Sequence, residues 1–176
     1  GTLAVLRADG TFELLDLASG HRRTIGELNP DDMKDRTTTY AFADFSTVYL
    51  VLNRRFQGSY YSINLSSVRV HGLICAFDRA TGQERWRKEL EQQNLVLDKL
   101  DHAPVVMLAS RTYKRQDNLR YYILKLVAFD KHTGRQLANL ETSSNYWSFR
   151  GLRLNLAERF IEFTAYNRRI RLISSQ

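Results

Sequence analysis

The chain has 176 residues, 43% of them hydrophobic and 26% charged, enough apolar side chains for a sizeable core. Its apolar runs stop well short of the ~20 residues that would cross a bilayer as a helix, so no membrane span is expected, and its single Cys75 excludes an internal disulfide. The net charge of +7 invites an acidic partner. The basic residues are scattered and interleaved with acidic ones, however, and no nucleic-acid motif accompanies them, so nucleic acid is the disfavoured one.

In chain order, the apolar runs are short, β-branched or aromatic, and bounded by turn residues. Leu3–Leu6 and Phe12–Leu15 flank Asp9-Gly10, a hairpin signal. Asn29-Pro30-Asp31-Asp32-Met33 is expected to open one short helical turn with Pro30 just inside it. Tyr40–Phe42, Thr47–Leu52 and Leu73–Phe77 follow, then Leu95–Leu97, Val105–Leu108 and Tyr121–Phe129. Tyr146–Phe149, Phe160–Phe163 and Ile170–Ile173 complete the series. No stretch sustains a 3.6-residue period, so the chain is expected to be all-β. Cys75 falls inside a strand and is expected to be a buried, inert thiol.

One pentapeptide recurs three times, as Asp16-Leu-Ala-Ser-Gly20, Asp78-Arg-Ala-Thr-Gly82 and Asp130-Lys-His-Thr-Gly134, each after an apolar run. A repeat at intervals of about fifty to sixty residues indicates one supersecondary unit used several times. The Asp carboxylate can accept from backbone N–H groups two and three residues on. The Gly supplies the positive φ that a tight strand-to-strand turn requires. Asp16 and Gly20, Asp78, Thr81 and Gly82, and Asp130, Thr133 and Gly134 are therefore read as structural residues.

The middle copy, Gly72-Leu-Ile-Cys-Ala-Phe-Asp-Arg-Ala-Thr-Gly-Gln-Glu-Arg-Trp86, resembles the repeat of the pyrroloquinoline-quinone-type β-propellers: an apolar strand, Ala-x-Asp-x-x-Thr-Gly, a few polar residues, then Trp. The third copy keeps Ala128, Asp130, Thr133 and Gly134 but has Ala138 in place of the Trp. The first keeps Asp16 and Gly20, with Ser19, Leu14 and Thr24 at the other positions. The resemblance implies four-stranded blades in which the motif joins the third strand to the fourth, and a Trp86 that packs between blades. The expected fold is a propeller or partial propeller of about four blades, at about 1–28, 38–90, 95–140 and 145–176, with both terminal blades incomplete. Gly1 in place of an initiating Met suggests either an expression remnant or a processed end, which fits a domain cut from a longer protein. Open edges would favour self-association or closure within the chain, with Ile170–Ile173 as the pairing edge, unless Arg169 and Arg171 protect it.

The chain holds no phosphate-binding loop, no Cys-x-x-Cys and no Gly-x-Ser-x-Gly. His21, His71, His102 and His132 are isolated in sequence, and the cluster Asp31, Asp32 and Asp35 lacks the Gly and distal Glu of a calcium loop and reads as a solvated loop. No metal site and no catalytic residue is expected. The resemblance leaves two main functions: a non-enzymatic scaffold that binds a protein partner, or part of a quinoprotein dehydrogenase. The enzymes of that family carry an adjacent Cys-Cys disulfide, calcium ligands and a catalytic Asp. One cysteine and few blades favour the scaffold, with no cofactor. Polyanion binding through a basic face is a third reading. The resemblance also implies a periplasmic, secreted or cell-envelope location.

The second-to-third-strand connections are short at Asp9-Gly10 and Asn167-Arg168 but long at Asn53–His71 and Arg111–Arg120. Extra connection length on a rigid scaffold is where binding resides. The long ones carry Arg54, Arg55, Tyr60, Tyr61, Arg69, Arg111, Tyr113, Lys114, Arg115 and Arg120, a composition suited to a polar, partly stacked protein interface. The competing reading is a pair of extended hairpins with solvated tips.

Overall fold

The computed structural model describes residues 1–56, 63, 65–116, 119–144, 149–155, 157–158, 160–165 and 168–173. They form an all-β protein of antiparallel sheets with one short helix. The chain divides into two compact units, Gly1–Gln57 with Val70–Glu91, and Gly58–Arg69 with Gln92–Gln176.

In the first unit, β1 (Thr2–Leu6), β2 (Thr11–Asp16) and β3 (Arg22–Glu27) make a three-stranded antiparallel sheet. Gly10, at φ +92°, sits so close to Leu28 that a Cβ would lie 2.3 Å from its carbonyl oxygen, which is why the Asp9-Gly10 hairpin takes glycine there. Helix α1 (Pro30–Met33) is the expected turn, with the Asp32 N–H donating to the Asn29 carbonyl at 2.9 Å. Asp32 is not merely solvated, since its carboxylate accepts from Arg87 Nη1 at 2.7 Å. Then β4 (Arg36–Ala43), β5 (Thr47–Arg54), β6 (Ser67–Asp78) and the leading part of β7 (Glu84–Val96) lie side by side in that order. Residues Thr47–Asn53 are all buried, because both faces of β5 are covered, and the five residues between the two polar ends, Val48–Leu52, are an unbroken apolar run. Phe12, Ile25 and Leu28 close on Val48, Leu50, Leu52, Leu73, Cys75 and Phe77 to form the core of this unit, with the Phe12 and Phe77 rings 5.8 Å apart. Cys75 is fully buried, and burial pushes its thiol up to about 12, far from the reactive range.

In the second unit the trailing part of β7 is followed by β8 (Val105–Gln116), β9 (Leu119–Asp130) and β10 (Gln136–Ser144). A further antiparallel sheet holds β11 (Phe149–Asn155), β12 (Phe160–Ala165) and β13 (Arg168–Ile173). Its Ile161 and Phe163 pack with Val105, Met107, Ala109, Leu124, Leu126 and Ala128 in the second core. None of the sheets closes on itself among the described residues.

Two expectations about the elements change. Leu95–Leu97 does not open a separate strand, because β7 runs unbroken from Glu84 to Val96. No Gly or Pro lies between those residues to interrupt it. Arg111–Arg120 is not a loop either. β8 and β9 pair residue by residue from Val105↔Asp130 out to Gln116↔Leu119, so the hairpin reading of that connection holds. Its side chains alternate in the manner of a strand, and no turn residue precedes Asp117.

Candidate functional site

The three repeated turns share one geometry, built from contacts within five residues. Asp16 Oδ1 accepts from the N–H groups of Ala18 and Ser19 at 3.0 and 2.8 Å. Asp78 Oδ1 accepts from Ala80 and Thr81, both at 2.8 Å, and Asp130 Oδ1 from His132 and Thr133 at 2.9 and 2.8 Å. Gly20, Gly82 and Gly134 donate to the carbonyls of their own aspartates at 2.8–2.9 Å and have φ of +71°, +76° and +67°. Each of the three turns is thus closed by bonds to its own Asp and by a glycine at positive φ.

These bonds hold the turn carboxylates below the ordinary aspartate value. For Asp16 the cause is the Ser19 N–H. For Asp78 it is the Thr81 N–H and then Arg85, whose Nη2 is 2.6 Å away. Burial pushes Asp130 up, but the Thr133 and His132 bonds outweigh it. A carboxyl held below its unfolded value contributes stability that is complete above that value and is lost as pH falls through the folded one. The urea midpoint should therefore be level near neutrality and fall below about pH 4. Asp78→Asn, which keeps an acceptor oxygen but cannot titrate, should flatten part of that fall. An unchanged pH profile in the variant would mean that this turn does not contribute to it.

Around the Asp78 turn the structure assembles a polar network that no sequence motif marks. Arg85 Nη1 donates to Thr47 Oγ1 at 2.8 Å, and Arg79 Nη1 donates to the Asp44 carbonyl at 2.9 Å. Tyr49 Oη donates to Asp44 Oδ2 at 3.3 Å, and burial lifts the phenol above the ordinary tyrosine range. Asp44 itself ties the β4–β5 hairpin by accepting from the Ser46 and Thr47 N–H groups, both at 2.8 Å. The only local signal for this fourth turn is the short segment Asp44-Phe-Ser-Thr47. Trp86 is buried, with its ring 6.2 Å from that of Tyr49.

The basic binding candidates fall in different units. In the first, Arg54 is half-exposed and pairs with Glu89 at 2.9 Å; the largely buried side chain of Arg36 approaches the same carboxylate at 3.7 Å. Arg55 is exposed beyond the end of β5. Tyr60 and Tyr61 lie outside the described residues, as do Tyr146 to Ser148 of the strand expected there and Asn167 of the short connection before Arg168.

In the second unit, cross-strand register decides which side chains meet on the β8–β9 hairpin. Tyr113 faces Tyr122, with ring centroids 5.6 Å apart and tilted by 59°. The Arg111 guanidinium lies 5.1 Å from the Tyr122 centroid. Arg111, Tyr113 and Arg115 alternate along β8 and so share one face, the continuation of the face on which Leu124 and Leu126 enter the core. Lys114 and Arg115 are exposed. Tyr122 joins the candidate residues only here, because its place opposite Tyr113 becomes visible once the hairpin register is known. A Lys or Arg residue is not always surface, since Lys131 in the third turn is buried and donates to the Leu100 carbonyl.

Among the described residues no group of three or more His, Cys, Asp and Glu side chains converges in a way that could hold a metal ion. No helix among them is long and apolar enough to cross a membrane. Comparison with protein-family models, with curated proteins and with solved structures gave no match.

Proposed function

We propose that this chain is a non-enzymatic interaction module, a propeller-type scaffold that offers the basic, tyrosine-bearing β8–β9 hairpin to an acidic segment of a protein partner. The observation that carries this reading is the Arg111–Tyr122–Tyr113 stack, continued on the same face by Arg115 and flanked by Lys114. A hairpin holds these groups in fixed register, so little side-chain entropy is lost when a partner meets them. Arginine and tyrosine together supply both charge and stacking area. Three like Asp-to-Gly turns and the successive antiparallel strands on either side of them support the propeller reading.

The test is a pull-down that compares the wild type with a variant carrying Arg54, Arg55, Lys114 and Arg115 changed to Glu. The variant should lose its specific partner while its thermal unfolding stays unchanged, because these side chains lie on the surface. Retention of that partner by the quadruple variant would overturn the assignment. A second reading, polyanion binding, is favoured by the run from Arg111 to Lys125, which carries Arg111, Lys114, Arg115, Arg120 and Lys125 against Asp117 alone. A salt-dependent shift with duplex DNA, absent with an acidic peptide, would select it.

A further inference from the structure

We infer that the acidic segment met by the β8–β9 hairpin is an extended one, with carboxylates four residues apart and an apolar side chain midway between them. This deepens the proposed function and rests on that reading of the hairpin.

The register bounds the surface. On the face of β8 that carries Arg111, Tyr113 and Arg115, the residue before Arg111 is Ala109, which is 0% exposed. Leu124, opposite Arg111, is 3% exposed, and both belong to the second core. Core packing along this face therefore stops at Arg111, and β8 itself ends at Gln116. Three side-chain positions remain between those limits, a cation, a phenol and a cation. An antiparallel strand rises by about 3.4 Å per residue, so the two arginines stem from backbone points about 14 Å apart, with Tyr113 at the centre.

An extended segment laid along β8 has the same rise and the same two-residue alternation. Acidic residues at its first and fifth positions reach Arg111 and Arg115, while the third comes down on the tyrosines. A helix does not match this spacing, because carboxylates at i and i+4 are only about 6 Å apart along its axis. Its width of about 10 Å also overhangs a ribbon whose two strands lie about 4.8 Å apart.

The chemistry at each position agrees. The Arg111 guanidinium lies over the Tyr122 ring, and stacking of this kind orients the planar fork of N–H donors for a carboxylate before any partner arrives. Tyr113 is tilted by 59° against Tyr122, so the two rings form an apolar floor between the cations on which an aliphatic side chain can bury area. Arg115 is exposed and supplies the second charge.

The test uses the full chain and fluorescein-labelled peptides read by fluorescence anisotropy. One peptide has the centre Glu-Thr-Val-Thr-Glu, and its isomer of equal charge and composition has the centre Thr-Glu-Glu-Val-Thr, both between the same Gly-Ser flanks. The spaced peptide should bind saturably and roughly tenfold more tightly than the isomer. Arg115→Glu, at an exposed position, should weaken the spaced peptide by roughly tenfold. That variant should in turn prefer, over the spaced peptide, one of the two peptides in which a single Glu is replaced by Lys. Unchanged circular dichroism would show that the fold is kept. Equal binding of the two isomers, both weakened by Arg115→Glu, would overturn the inference and leave the hairpin as the docking surface. Absence of saturable binding, or binding that Arg115→Glu leaves untouched, would overturn the inference together with the reading on which it rests.

Discussion

Trp86→Ala should destabilise the protein by about 3–5 kcal/mol, the cost of truncating a large buried aromatic without filling the space. Trp86 is 7% exposed, and its ring is tilted by 56° against that of Tyr49, which is fully buried. Tyr49 in turn stacks on Phe42, with centroids 5.2 Å apart, and bonds through its hydroxyl to Asp44. Removing the indole therefore opens a void over a phenol whose hydroxyl is bonded to a buried carboxylate. The measurement is equilibrium urea unfolding followed by circular dichroism, because the substitution removes one of only two tryptophans and with it much of the fluorescence signal. Trp86→Phe should recover part of the loss. An unchanged midpoint for Trp86→Ala would show the ring to be dispensable for folding.

Gly82→Val should cost more than Gly20→Val, although the two glycines have nearly the same φ. At Gly20 a Cβ would find nothing within 4 Å, so that variant isolates the torsional penalty of a β-branched residue at positive φ, about 1–2 kcal/mol. At Gly82 the same Cβ would stand 3.0 Å from the Thr24 carbonyl oxygen and 3.1 Å from that of Ile25, both backbone atoms of β3. The strand must shift to admit it, which adds about 1–3 kcal/mol. Urea midpoints of the two variants give the comparison directly. Equal losses would mean that β3 yields without resistance; no loss in either would contradict the turn geometry.

The turns are legible in the sequence because everything that makes them lies within five residues. An Asp acceptor, a Ser or Thr and a Gly in fixed order can satisfy the local N–H groups in only a few ways, and the chain uses the same one at Asp16, Asp78 and Asp130. The all-β class is legible for a related reason, since period-two patterning and frequent turn residues exclude long helices. The inert Cys75 and the helical turn after Asn29 are equally local deductions.

The binding surface is legible only in composition. Arg111, Tyr113 and Arg115 stand out as residues, but which partner each meets depends on how far β8 and β9 remain paired. Turn propensity does not determine that length. It follows from the cross-strand contacts themselves, the Tyr113–Tyr122 pair among them, which are worth making only when both strands extend. Arg36 and Arg54 likewise share Glu89 across long sequence separations, so sequence spacing carries no trace of the pairing.

The sequence by itself determined the strand-rich class, the three turns and their glycines, because those follow from short-range sterics and hydrogen bonding. Only the tertiary structure decided that β7 runs through the expected boundary, that Asp44 and Tyr49 meet Arg79, Arg85 and Trp86 around one turn, and that core packing along β8 stops at Arg111. Each of these depends on register and on which sheet faces are covered, and a pattern of period two is compatible with many registers until packing selects one.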